Sequence, residues 1–115
     1  MTEYFDALET RDPAAREAAL LAALPRQLAH AQQHSAAFAD ILAGIDAAAV
    51  TSRAALARLP VTRKSELLAR QQASRAAGRD PFGGFATGRW GSAMRRVYAS
   101  PGPIYEPEGC ASDYW

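Results

Sequence analysis

The first chemical question comes from the stretch RRVYASPGPIYEPEG at positions 95–109. A short strand-like run passes there into a turn dense in glycine and proline, and many phosphate-binding loops begin in this way. Such loops bind phosphate through backbone N–H groups, however, and Pro101 and Pro103 each lack one. Glu106 adds a negative charge nearby. The residues therefore leave two interpretations open, a nucleotide site and a structural turn.

Two histidines and one cysteine are the other candidates for chemistry. His30 and His34 lie four residues apart on a predicted helix, a spacing that can chelate a metal, but no nearby carboxylate or cysteine completes a site. Cys110 has no histidine or acidic neighbour that marks a nucleophile. We therefore predict surface histidines and an inert thiol, with no catalytic residue and no metal site.

Arginines and aromatic residues alternate in the second half of the chain. They are Arg75, Arg79, Arg89, Arg95 and Arg96, with Trp90 and Tyr98. Such a set can form a surface for an anionic ligand. The glycine-rich context favours a solvated loop instead, with Phe82 and Phe85 as anchors that pack this loop onto the helices.

Composition narrows the class of protein. A chain of 115 residues forms one domain at most. Thirteen basic and twelve acidic residues give a net charge of +1, so no long-range field favours nucleic acid or an anionic membrane. The N-terminus lacks a secretory signal, and no apolar run approaches the roughly 18 residues of a membrane span. We expect a soluble cytoplasmic protein with no nucleic-acid or membrane partner.

Helix signals dominate the first two thirds of the sequence. Asp12 and Pro13 predict a helix start, and Pro25 predicts a kink or the meeting of two helices before an end near His34. Three shorter helices are predicted from their capping residues and stops. The caps are Ser35, Thr51-Ser52 and Thr62, and the stops are Gly44 and Pro60.

These signals predict a mainly α fold, a bundle of short helices followed by a glycine-rich loop and one or two short β-strands. Residues 1–74 form the N-terminal helical region, residues 75–94 the Gly/Arg-rich loop, and residues 95–115 a strand, a turn and the start of a helix at Pro107. We expect the strand at residues 95–100 to lack a pairing partner within the chain, because no second strand is evident.

Four segments occur in an informative order: LPRQLAHAQQHSAAFADIL, LARLPVTRKSELLARQ, DPFGGFA and RRVYASPGPIYEPEGCASDYW. In this order they resemble the beginning of phenylacetate-coenzyme A ligases and related aryl-CoA ligases of the adenylate-forming superfamily. The resemblance runs from about Leu24 to Trp115.

The resemblance implies ATP- and Mg²⁺-dependent activation of an aromatic carboxylic acid, followed by its transfer to coenzyme A. Enzymes of this family are several times longer, so the chain would be the N-terminal piece of a larger α/β enzyme and would not be active alone. No cofactor is then expected in the isolated chain. Its expected partner is the rest of the ligase chain, or a second copy bound through the strand at residues 95–100.

The family's phosphate loop reads Ser-Ser-Gly-Thr-Thr-Gly-x-Pro-Thr. Aligned on YAS, Ser100 and Gly102 take the first serine position, or its neighbour, and the first glycine, which makes them candidate cofactor-binding residues. Pro101, Pro103 and Glu106 depart from the pattern. Two interpretations remain, a degenerate turn and residual nucleotide contact in a longer protein. The alternative function is a stand-alone helical protein-interaction module with no catalysis.

Overall fold

A computed structural model describes residues 3–92 and 94–109 of the chain. Within these residues the fold is mainly helical with one small antiparallel sheet, as the sequence predicts. The elements are α1 (Pro13–His34), α2 (Ala36–Ile41), a short 3₁₀ helix (Ala47–Ala49), α3 (Arg53–Leu56), α4 (Lys64–Ala76), β1 (Val97–Ser100) and β2 (Ile104–Pro107). The chain divides into two compact units. The first contains Met1–Ala29 and Asp46–Arg58, and the second contains His30–Ile45 and Leu59–Trp115.

Helix α1 begins where its capping signal predicts. The Asp12 carboxylate accepts hydrogen bonds from the backbone N–H groups of Ala14 and Ala15, at 3.0 and 3.1 Å. The helix then continues through Pro25, so the expectation of two helices meeting there is wrong. A proline removes one backbone hydrogen bond, and the turns on both sides retain theirs. Among the described residues, no helix combines the length and the apolar character required to cross a membrane.

The first unit has a core of small side chains. Its buried apolar residues include Ala47, Val50 and Ala55. Ser52 caps α3 as predicted, with its hydroxyl accepting from the N–H of Ala55 at 3.1 Å. The guanidinium of Arg53 forms an exposed ion pair with Glu17 and lowers the pKa of that carboxyl through a hydrogen bond and charge attraction. An exposed pair of this kind contributes little to stability.

Helix starts in the second unit follow the same capping rules. Ser35 caps α2 as predicted, accepting from the N–H of Phe38 at 3.2 Å. Helix α4 starts one residue later than expected, so Thr62 is not its cap. The cap is Arg63, whose N–H donates to the Glu66 carboxylate at 3.3 Å. A glutamate at the third helical position commonly reaches back in this way.

The two strands form a hairpin. Strand β1 pairs antiparallel with β2, with Ser100 opposite Ile104 and Val97 opposite Pro107. The expectation of a strand without a partner in the chain is therefore wrong. So is the helix start at Pro107, which lies in β2. The rest of that expected helix, Cys110 to Trp115, lies outside the described residues.

Candidate functional site

Ser100 and Gly102, the residues aligned with a phosphate loop, lie at the hairpin turn. Ser100 ends β1, and Gly102 is an exposed residue between two prolines. The three-residue turn has a single N–H group of its own, since Pro101 and Pro103 have none. Phosphate sites gather several converging donors, and this turn by itself supplies one backbone N–H group. Nucleotide contact through Ser100 and Gly102 stays a prediction.

Gln71 fixes the hairpin to helix α4. Its side chain is 1% exposed. The Nε2 group donates to the carbonyl of Tyr105 at 2.8 Å and to that of Phe82 at 3.3 Å, while Oε1 accepts from the N–H of Tyr105 at 3.0 Å. The side-chain amide thus occupies the place that a neighbouring strand would take. Sequence reasoning missed this residue, because a glutamine beside Gln72 gives no sign of burial.

The contacts of Tyr105 show which way the hairpin edges face. Backbone groups in an antiparallel pair point alternately toward and away from the partner strand. The N–H and carbonyl of Tyr105 point away from β1 and form hydrogen bonds with Gln71. Pro107 is the next residue whose backbone points outward, and it has no N–H group. The outer edge of β2 is therefore blocked. Val97 and Ala99 face outward from β1, and no other strand among the described residues pairs with that edge.

A tight turn at residues 80–84 of the loop forms hydrogen bonds with the start of α2. The Asp80 carboxylate accepts from the N–H groups of Phe82 and Gly84, at 2.9 and 2.8 Å. The Gly84 carbonyl in turn accepts from the N–H of Ala37 at 2.9 Å and from the Ser35 hydroxyl at 2.8 Å. Every polar group named here has a partner, so the loop is held in one conformation.

Gly83 lets the same turn approach α4 closely. Its φ is 67°, a left-handed conformation. A Cβ atom at this position would lie 3.0 Å from the backbone nitrogen of Gln71 and 3.1 Å from its Cα. Glycine is required both by the backbone conformation and by the lack of space.

The aromatic residues of the loop act as anchors, as the sequence predicts. Phe82 is 3% exposed. The ring of Phe85 meets that of Phe38 edge to face, with centroids 5.6 Å apart. Such pairs add to the stabilisation that comes from burial alone.

Two of the five arginines considered for a basic surface are held by protein groups. The guanidinium of Arg75 lies 4.9 Å from the centre of the Tyr105 ring and donates to the carbonyl of Pro81 at 3.0 Å. Arg96 donates two hydrogen bonds to the Glu108 carboxylate, at 3.1 and 3.0 Å, and this partner raises the pKa of Arg96. The residues therefore do not form one free basic surface.

A largely apolar cavity of about 560 Å³ lies beside the hairpin within the second unit. The apolar and aromatic side chains along it are Phe38, Leu67, Phe82, Phe85, Ile104 and Tyr105. Arg89, Glu106 and Glu108 place charges around these residues. The cavity can accept apolar side chains while its charged groups remain in water.

The two histidines lie together near the end of α1. Their ring centroids are 4.6 Å apart, and both residues are exposed. No group of three or more metal-binding side chains occurs in the described part of the chain. Cys110 lies outside it.

The hairpin therefore has one blocked strand edge and one open strand edge, with an apolar cavity beside it. No protein-family model, curated protein or solved structure matches the chain.

Proposed function

We propose that the chain forms the N-terminal, non-catalytic part of a protein resembling aryl-CoA ligases, and that strand β1 joins a larger sheet in that protein. The order of the four sequence segments supports the family. The observation that carries the structural role is the open edge of β1, which exposes the outward backbone groups of Val97 and Ala99.

The difference between the two edges of the hairpin decides on which side further strands can join the sheet. A strand added beside β2 would meet the Gln71 side chain at Tyr105 and would receive no donor from Pro107. A strand added beside β1 would meet the outward N–H and carbonyl groups of Val97 and Ala99, with which no other strand of the described residues pairs. Backbone groups left in an exposed edge are a template for pairing. Further strands therefore join on the β1 side.

The apolar cavity supports the same role. It lies in the second unit, and its lining includes Phe38, Phe85 and residues of β2. Apolar area of this kind is stabilised when other polypeptide covers it. The remaining parts of the proposed protein would supply that cover, as well as most contacts to ATP, Mg²⁺ and coenzyme A, since the turn at Ser100 and Gly102 supplies a single backbone N–H group.

The size and activity of the native protein test the proposed relation to aryl-CoA ligases. An antibody raised against a peptide of residues 63–76 is used on extracts of the source cells. We expect a protein several times heavier than the 12.3 kDa of this chain. After immunopurification, it should release pyrophosphate from ATP only when an aryl carboxylic acid is present. Antibody blocked with the free peptide is the control. A native protein of about 12 kDa would contradict the proposal and favour the stand-alone interaction module.

The Ala99→Pro variant tests the open edge. Proline removes an outward N–H group but no hydrogen bond of the hairpin, because Ala99 and Tyr105 form a pair whose groups point apart. Because no strand of the described residues covers this edge, the isolated wild-type chain should dimerise reversibly through β1 at concentrations of hundreds of micromolar. We expect the variant to remain monomeric in sedimentation-velocity measurements.

The Ala99→Ser variant is the matched control, since it changes the same exposed residue but retains the N–H group. It should dimerise like the wild type. A proline variant that folds with the same circular dichroism spectrum and still dimerises would show that β1 is not the interface. A wild-type chain that stays monomeric at these concentrations would also count against an edge available for pairing.

A further inference from the structure

We propose that His30 and His34 form an exchangeable binding site for a divalent copper ion on the surface of α1. The two imidazoles supply two ligands, and water or a small solute supplies the others. This inference is independent of the proposed ligase-like role.

Helix geometry places the two rings together. Residues four apart lie on the same face of a helix, one turn from each other. The rings are exposed, and their centroids are 4.6 Å apart. His34 lies in the last turn of the 22-residue helix, where the negative end of the helix dipole favours a bound cation.

The two rings can reach a common metal ion. Their centroids are 4.6 Å apart and their planes are tilted by 41°. Rotation about the two side-chain bonds of each exposed histidine brings one nitrogen of each ring to about 2.1 Å from such an ion.

The ligand type selects the metal. Nitrogen ligands bind Cu²⁺ most tightly among the divalent metals of the first transition row. With no third protein ligand among the described residues, the ion exchanges with solution.

Hydrogen bonds restrain the turn of α1 that carries the two histidines. Gln32, between the two histidines, donates from Nε2 to the carbonyls of Leu42 and Ile45, at 3.1 and 2.9 Å. The N–H of Ser35 donates to the carbonyl of Ala31 at 3.0 Å. Both interactions lie within the second unit and restrain the turn that carries the histidines.

Copper titration tests the site. The protein is prepared without a histidine tag and with Cys110→Ser, because a thiol binds copper itself. Cu²⁺ is added as the chloride and binding is followed by calorimetry and electron paramagnetic resonance. We expect one Cu²⁺ per chain with nitrogen hyperfine structure. His30→Asn and His34→Asn should each raise the dissociation constant at least tenfold, and Zn²⁺ should bind at least tenfold more weakly than Cu²⁺.

Gln33→Asn is the matched control, since it changes an exposed amide next to His34 and should leave copper affinity unchanged. Circular dichroism checks that every variant retains its helix content. The proposal is overturned if either single histidine variant keeps wild-type affinity, because one imidazole then suffices. Equal affinity for Zn²⁺ and Cu²⁺ would overturn the assignment of Cu²⁺ as the bound ion.

Discussion

The Gln71→Ala variant is expected to lose about 3 kcal/mol of unfolding free energy, because three backbone groups lose their hydrogen-bond partner at a buried position. These are the N–H and carbonyl of Tyr105 and the carbonyl of Phe82. A small cavity also forms where the side chain was 1% exposed. Urea unfolding followed by circular dichroism measures the loss, which corresponds to a fall of at least about 10 °C in the thermal midpoint.

Gln72→Ala is the matched control for this prediction. Gln72 is the next residue of α4 and is exposed, so the same atoms are removed without breaking the contacts to the hairpin. We expect a change within about 0.5 kcal/mol. Hydrogen exchange adds a local measurement, since the Tyr105 amide should exchange faster in the Gln71 variant only. Equal stability of the two variants would show that Gln71 does not hold the hairpin.

The second large effect is expected at Gly83, where replacement by alanine should cost about 3 kcal/mol. Part of this cost is the left-handed backbone conformation, which an alanine adopts at a penalty of about 1 kcal/mol. The rest comes from the new Cβ atom, 3.0 Å from the Gln71 nitrogen in the backbone of α4. Helix backbone cannot move aside without breaking other contacts, so overpacking adds about 2 kcal/mol.

Gly78→Ala separates the two contributions. Gly78 has a φ of 66°, almost the same as the 67° of Gly83, but a Cβ added there has no atom within 4 Å. This variant should lose only about 1 kcal/mol, the cost of the conformation alone. Thermal unfolding of both variants at the same pH gives the difference. If the two losses are equal, the close approach of Gly83 to α4 does not contribute.

Much of the helical part of the fold could be predicted because its signals are local. Asp12, Ser35 and Ser52 each bind a backbone N–H group two or three residues away, so a short window of sequence contains the whole interaction. The Thr62 prediction was wrong by one residue, because the Glu66 carboxylate accepts from the N–H of Arg63 and so makes Arg63 the first capping residue. Helix boundaries are commonly uncertain by this amount.

Strand β2 was missed for a different reason. Its four residues follow Pro103 and end with Pro107, and proline is typical of turns. Pro107 is tolerated in the strand because its outward position requires no donor to β1. This position becomes evident only once the register of the hairpin is known.

The candidate site was predictable only in part. Phe82 and Phe85 stand out as aromatic residues in a glycine-rich loop, and the structure confirms them as anchors. Gln71 contacts Tyr105, 34 residues later in the chain, so no local pattern marks it. The scarcity of backbone N–H donors at the turn could be predicted from Pro101 and Pro103, because proline lacks an N–H in every conformation.

The asymmetry of the hairpin limits how far copies of the chain can assemble. Two hairpins joined through β1 leave only their β2 edges at the outside, each covered at Tyr105 and lacking a donor at Pro107. A third copy therefore has no open strand edge with which to form backbone hydrogen bonds. Cross-β fibrils grow by repeated addition to an edge that renews itself. Pairing of two β1 strands leaves no open edge, so this hairpin is protected from fibril growth.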